Sequence, residues 1–315
     1  MPGEPFFPTS YYQNKDLSLR MNPQEFIIEF SELLTSLKQI YGLKKGTPIV
    51  LGGGAHFALE TIIDNLIEDK DIVLVVGSGQ TSETIVSMIS ASCKAIDRMP
   101  YSEDHSIDMD LLKAKLEEKP YKAVIIPHAE RDLGIKNDIR TAGKLIREEG
   151  RFLIVDATST IGAEKFSQDS WNVDIAFSNS NWGLAAPPGL AILSVSQRAL
   201  DALKMRKEGL KSKYRDLSLL SQMMWQIIGV EEKVPINDFP IGLIYILNNS
   251  IKAILEEGLI EYQSQHKLMS TAFRHCLTNV LIPVFPLEDD HAVGTLTVGH
   301  LPEKLNPTEF HSRLA

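Results

Sequence analysis

The chain has two cysteines, Cys93 and Cys276, and they stand far apart. So few thiols exclude a disulfide framework and a thiolate zinc site, and they fit a reducing compartment, so the cytoplasm is the expected location. No run approaches the roughly 18 apolar residues of a membrane span, and "MPGEPFFPTSYYQ" lacks the charged and apolar regions of a signal peptide. Basic charge is also in deficit: the formal net charge is -9, from acidic residues scattered along the chain. Nucleic acid and membrane surfaces are therefore not expected partners. There is no G-x-S-x-G elbow, no H-E-x-x-H, no Walker loop and no G-x-G-x-x-G fingerprint. Internal repeats and low-complexity segments are lacking too.

What is present is an ordinary globular composition. The 315 residues are 43% apolar and 23% charged, enough for one large domain or two unequal ones. Asn22, Pro23 and Glu25 read as cap, first helical residue and capping-box acid ahead of Phe26, Phe30, Leu33, Leu37 and Tyr41, one apolar helix face. Short Val- and Ile-rich runs follow: "TPIVLGG", "DIVLVVG", "KAVIIPH", "RFLIVDA", "VDIAFSNS" and "LAILSVS". Helical stretches alternate with several of them: "ALETIIDNLIED", "SETIVSMISAS", "DMDLLKAKLEEK" and "NDIRTAGKLIREEG". Strands apolar on both faces, alternating with helices, predict a parallel sheet covered on both sides.

Ligands of such sheets sit beyond the carboxyl ends of the strands. There the sequence places Gly52-Gly53-Gly54-Ala55-His56, a side-chain-poor turn opening a helix and by geometry a phosphate cradle. It also places Asp156 after "RFLIV", and "SNSNWGLAAPPG" after "DIAF". His128, Glu130 and Arg131 form a charged cluster at another strand end, either an anion site or a solvated loop.

The order "GGGAHFALE", "PHAERDLG", "FLIVDATSTIGA", "DIAFSNSNWGLAAPPG" and "EEGLIEYQSQH" resembles the class V aminotransferases of pyridoxal-phosphate fold type I, most closely the alanine-glyoxylate or serine-pyruvate group. The resemblance spans about residues 20 to 300. It implies an α/β fold: a three-layer α/β/α large domain with a mainly parallel central sheet over residues 1–256, including an N-terminal arm at 1–21. A shortened α+β small domain would occupy residues 257–315. It also implies a dimer, with the cofactor phosphate on the glycine turn, an aromatic on the pyridine ring, the strand-end aspartate at the ring nitrogen, and a lysine before "APPG" forming the Schiff base.

Laid on this sequence, the family pattern departs at its chemical centre. Trp182 falls where the lysine is expected, and no lysine lies between Lys165 and Lys204. An indole offers one N–H donor and no basic lone pair, so it can neither capture an aldehyde nor carry a proton. Thr81 stands for the stacking aromatic, Arg131 for a serine, and Pro235 and Asp238 for the phosphate-binding tyrosine and threonine of the partner subunit. A carboxylate beside a phosphate repels it. The cofactor-binding set carried over is Gly54, Ala55, His56, Thr81, Arg131, Asp156, Thr158, Asn181 and Asp238, as a vestige. Trp182 is expected to fill the vacated cavity as core, the alternative being that it lines a pocket for another flat ligand. His56 could simply pack at its helix start, and Asp156 could be a relic held by backbone amides.

Beyond "IYILNNSIKAILEEGLIEYQSQHKLMSTAFRHCLTN", a long helical region interrupted by Gly258, "HAVGTLTVGHL" reads as a strand and Asn306-Pro307 as a helix start. The family continues further, to an arginine that clamps the substrate carboxylate. The expectation is thus a non-catalytic protein, binding a metabolite or pairing as a homodimer or with an intact relative, with no cofactor and no metal. The alternative is a working class V aminotransferase of the alanine/serine-glyoxylate/pyruvate type, or an enzyme holding pyridoxamine phosphate without a covalent bond.

Overall fold

The computed structural model describes residues 23–92, 95–100, 106–210, 212–230, 239–286, 289–302, 306, 308 and 312–313. The first helix, α1 (Pro23–Tyr41), buries Phe26, Phe30, Leu33, Leu37 and Tyr41 on the face that the spacing predicts, together with Ile27, Leu34 and Ile40. Full burial of such a side chain contributes about 1.5–3 kcal/mol. Then come β1 (Gly46–Gly52), α2 (Ala55–Leu66), β2 (Ile72–Val76), α3 (Gln80–Ala91), β3 (Ala95–Met99) and α4 (Met109–Glu118). The chain continues through β4 (Ala123–Pro127), a hairpin of β5 (Ala129–Glu130) and β6 (Ile135–Lys136), α5 (Ile139–Glu148), β7 (Phe152–Asp156), β8 (Ile175–Asn179) and β9 (Leu190–Ser196). Helices α6 (Gln197–Lys204), α7 (Leu217–Ile228), α8 (Ile241–Glu257) and α9 (Leu259–Asn279) follow, with a last small ribbon of β10 (Val284–Phe285) and β11 (Val298–Gly299).

The seven-stranded sheet runs β1-β9-β8-β7-β4-β2-β3. Strands β3, β2, β4, β7 and β8 pair in parallel, while β9 runs antiparallel between β8 and β1. All six apolar runs are strands, and their burial on both faces explains the absence of alternation. Strand β3, "AIDRM", has no comparable run to announce it: it lies at the sheet edge and buries only Met99.

Gly258, at φ 101°, separates α8 from α9 where the sequence marked an interruption. The run "HAVGTLTVGHL" yields only the two residues of β11 as strand. Its earlier backbone groups are engaged elsewhere: Val293 N–H donates to Gly134 O, Gly294 N–H to the Glu164 carboxylate, and Ala292 bridges Ile135. Asn22, Cys93, Pro235, Asp238 and Pro307 lie outside the described residues. Among the described residues no helix is long and apolar enough to cross a membrane, and no cluster of His, Cys, Asp and Glu could hold a metal.

Candidate functional site

Two loops carry the chemistry-bearing strand ends, and glycine lets them touch. A Cβ on Gly162, after β7, would stand 2.7 Å from Gly183 O, and one on Gly183, after β8, would stand 2.4 Å from Ile161 O. Both distances are shorter than real side chains allow. The approach brings the loop that starts at Asp156 against the loop that holds Trp182.

Asp156 ends β7 and is held by its own turn, accepting the Thr158 N–H at 2.8 Å. Burial raises its pKa above the ordinary aspartate value; hydrogen bonding from Thr158, whose amide donates to it, then the charges of Arg131 and His56, oppose the rise. Its opposite-charge partners are thus a guanidinium and an imidazole, and no lysine is among them. Arg131 reaches over Trp182, its guanidinium carbon 5.8 Å from the ring centroid. Asn181 caps the short 3-10 turn Trp182–Leu184, and its Oδ1, like that of Asn179, is buried without a hydrogen-bond partner.

Trp182 corrects one expectation. It is partly exposed beside the Arg131 guanidinium, short of the enclosure expected of a residue filling the core. Its backbone sits at φ 58°, the left-handed region that bulky residues avoid.

The two helix N-termini of the site differ. At α2, Gly54 is the N-cap, with extended backbone and no side-chain cap, and a Cβ built on it meets nothing within 4 Å. Ala55 and the exposed His56 begin the helix, so among the described residues the positive end of the dipole lies beside the unfilled space at Gly54 with no side-chain cap. At α3, by contrast, the Gln80 N–H donates to both Asp132 carboxylate oxygens at 3.0 Å. That end carries its own anion. Thr81, in the first turn of α3, is 5% exposed and its hydroxyl has no partner.

The charged cluster at the end of β4 is neither a solvated loop nor a ready anion site. His128 and Glu130 are buried, and the Ser82 hydroxyl donates to Glu130 Oε1. Burial pushes the Glu130 pKa up to about 7, with the charges of Asp132 and Asp156 adding to it. Asp132 and Ser82 were missed from sequence because nothing in their spacing links them to "HAE". Tyr41 was read as the last residue of an apolar stripe, yet its hydroxyl bonds Ser178 Oγ at 2.7 Å beneath the same strand end; periodicity carries no sign of that.

Tested against pyridoxal phosphate, these residues fit the phosphate, through the open α2 N-terminus, and the ring nitrogen, through Asp156. They do not fit the aldehyde. In the loop after β8 stands the Trp182 indole with the Arg131 guanidinium over it, and neither side chain offers an amine to an aldehyde. Thr81 offers no ring face.

The profile of the family described as Aminotransferase class-V matches residues 7–271. An uncharacterised aminotransferase of Methanocaldococcus jannaschii is 27% identical over 286 residues, 90% of this chain and 72% of its own length. Alanine–glyoxylate aminotransferase 1 of Saccharomyces cerevisiae is 29% identical over 278 residues, covering 84% of this chain and 71% of the yeast protein. Among solved structures, alanine–glyoxylate aminotransferase from Nostoc sp. superimposes with a TM-score of 0.89 at 24% identity, over 98% of this chain and 80% of that one. Pyridoxamine–pyruvate aminotransferase from Mesorhizobium loti does so at 0.84 and 22%, over 96% and 76%. The sheet order, the strand-end aspartate and the glycine turn at α2 are thus accounted for together: the chain belongs to the class-V aminotransferase family.

Proposed function

We propose that this chain is a non-catalytic member of its family, one that has given up Schiff-base chemistry and binds a small anionic metabolite at the α2 N-terminus. The observation that carries the reading is Trp182, at the end of β8, lying under the Arg131 guanidinium. Transamination needs an amine that both captures the aldehyde and moves the substrate proton, and an indole does neither. The charges facing Asp156 support the same reading, being Arg131 and His56. The decisive experiment is the absorbance spectrum of the purified protein before and after pyridoxal phosphate is added. A visible band that survives dialysis and is abolished by borohydride would overturn the proposal.

The proposal extends to partners and place. Exposed Tyr214 and Leu219 border an apolar cleft of about 340 Å³ above Gly52 and Phe239, and Trp225 is exposed on the same helix as Leu219. Such a surface suits a second copy or an intact relative, and sedimentation of the wild type against Trp225→Glu tests it. The scarcity of thiols supports the cytoplasm.

A second reading is favoured by the open α2 N-terminus and Asp156 taken together. Those two features would seat pyridoxamine phosphate without a covalent bond, in an enzyme of the alanine- or serine-to-glyoxylate or pyruvate type. Calorimetric titration with pyridoxamine phosphate separates the readings, since only the second expects tight binding.

A further inference from the structure

A second cleft, of about 460 Å³, opens beyond the end of β4. Its lining includes the buried His128, the apolar Ile107 and Trp171, the exposed cations Arg140 and Lys165, and Asp290. It is built from different residues than those around Asp156 and Trp182. The inference therefore does not depend on the proposed function.

The chemistry of the His128 ring can be worked out atom by atom. Thr160 Oγ1 lies 2.9 Å from His128 Nδ1 and 3.3 Å from Ala157 O, which can only accept; with the hydroxyl hydrogen assigned to Ala157 O, Nδ1 is the donor of the shorter contact. Burial, with the charge of Lys136 added, lowers the His128 pKa to about 3, so the ring is neutral. Its Nε2 therefore carries a bare lone pair, which bonds to nothing among the described residues. The ring is 2% exposed and wedged edge-on between Phe166 and Trp171, with centroids 5.6 and 5.7 Å away. A neutral acceptor in the lining of a cleft, on a ring packed between two aromatic side chains, suits a donor from whatever fills the cleft.

The charges in the lining define the rest of the ligand. Lys136 is taken by Glu164 at 3.0 Å, and Asp138 by the amide and hydroxyl of Thr141. Arg140 and Lys165 make no ion pair among the described residues. Two uncommitted cations in one lining with a neutral acceptor and an indole suit a carboxylate whose neighbouring atom bears a hydrogen-bond donor. We propose that this cleft is a binding site for a small 2-hydroxy- or 2-amino-carboxylate with a flat or apolar tail. Its carboxylate meets Lys165 and Arg140, its O–H or N–H donates to His128 Nε2, and its tail lies against Trp171. Asp290 gives the ammonium of an amino acid an additional partner.

The test is calorimetric titration of the full chain with two probes of one shape, 3-phenyllactate and 3-phenylpropionate, which differ by the donor alone. Phenyllactate is expected to bind with a Kd of about 1 mM or tighter, and phenylpropionate roughly fivefold or more weakly. In His128→Phe phenyllactate falls to the level of phenylpropionate; in the Lys165→Met/Arg140→Met double variant, whose changes are on exposed residues, both probes are lost. Arg131→Ser, in the other site, leaves both affinities unchanged. Phenylalanine against phenyllactate shows whether an ammonium or a hydroxyl is preferred. Equal affinity for the two first probes, no binding of either at about 10 mM, or full binding by the double variant would overturn the proposal. If His128→Phe fails to fold, the wild-type comparison and the double variant still decide it.

Discussion

The guanidinium of Arg131 lies 5.8 Å from the centre of the Trp182 ring and also faces Asp156, so one cation serves an aromatic face and a buried carboxylate together. The arrangement makes Arg131 and Trp182 a contacting pair, whereas the sequence presented them as separate positions. A partly exposed cation–π contact contributes about 0.5–1 kcal/mol. A double-mutant cycle of Arg131→Met and Trp182→Phe, read by urea unfolding, is expected to give a coupling of that size. Arg131→Met also removes a charge that lowers the Asp156 pKa, so that pKa rises further, a shift that carboxyl carbon NMR can follow. Additive single-variant costs and an unmoved Asp156 would show that the contact carries no energy.

Glu130 predicts a pH dependence of stability. Its folded pKa, about 7, stands above the ordinary glutamate value of 4.5. Below 4.5 it is protonated in both states; between 4.5 and 7 the unfolded chain releases the proton while the folded one keeps it, so folding stability falls as pH rises. The loss is complete above 7 and amounts to roughly 3 kcal/mol at about 1.4 kcal/mol per pH unit. His128 works the other way: its pKa is lowered from 6.5 to about 3, so its contribution is present above 6.5 and lost as pH falls toward 3. The two oppose each other between 4.5 and 6.5. Urea unfolding at several pH values, compared with Glu130→Gln, isolates the carboxyl: the wild type is expected to weaken relative to the variant as pH rises toward 8. Parallel pH curves would refute the assignment.

How much of this was legible in the sequence depended on whether the cause was local. Helix α1 and the six apolar strands are specified by spacing and β-branched runs, and the sheet positions them as the pattern requires. Asp156 and the glycine turn were visible because strand ends are where such sheets bind ligands. Three features were not. The left-handed backbone of Trp182 depends on the loop that Gly162 and Gly183 press together, so its exposure could not be read from its size. The burial of His128 and Glu130 involves residues tens of positions away in sequence, Thr160, Phe166 and Trp171 against His128 and Ser82 against Glu130. The exposed edge strand β3 has no hydrophobic run to announce it.

Asp174 carries a stability prediction independent of any ligand. It is fully buried and accepts from the Leu153 N–H at 2.9 Å, from Arg147 at 3.0 Å and from Arg198 at 2.8 Å, tying α5, β7 and α6 together. Burial raises its pKa, and the Leu153 amide and the two guanidinium groups oppose the rise. Asp174→Asn keeps the shape and removes the charge, leaving two arginines unmatched. Because both reach solvent, the cost is expected at about 2 kcal/mol, below that of a fully enclosed pair. Thermal unfolding checks it, and an unchanged melting temperature would mean the network is incidental.

Trp182→Lys tests whether one residue separates this chain from transamination. The indole is only partly buried, so its loss should cost about 1 kcal/mol in apolar contact, and lysine inherits the same left-handed backbone at φ 58°. The variant should therefore fold. The new ammonium would stand beside the Arg131 guanidinium, and that like charge lowers its pKa, which favours the neutral amine a nucleophile needs. Capture of an aldehyde is thus the easier part to restore. Turnover requires more: Thr81 still gives the ring no aromatic face, and Arg131 still engages Asp156, the carboxylate proposed to hold the ring nitrogen. The expected outcome is a folded variant that gains at most a borohydride-sensitive band with pyridoxal phosphate and shows no exchange between alanine and glyoxylate in a pyruvate-coupled assay. Measurable turnover in that single variant would mean that the surroundings of Trp182 already suffice for transamination once an amine stands there, and would overturn the proposed loss of the rest of the site.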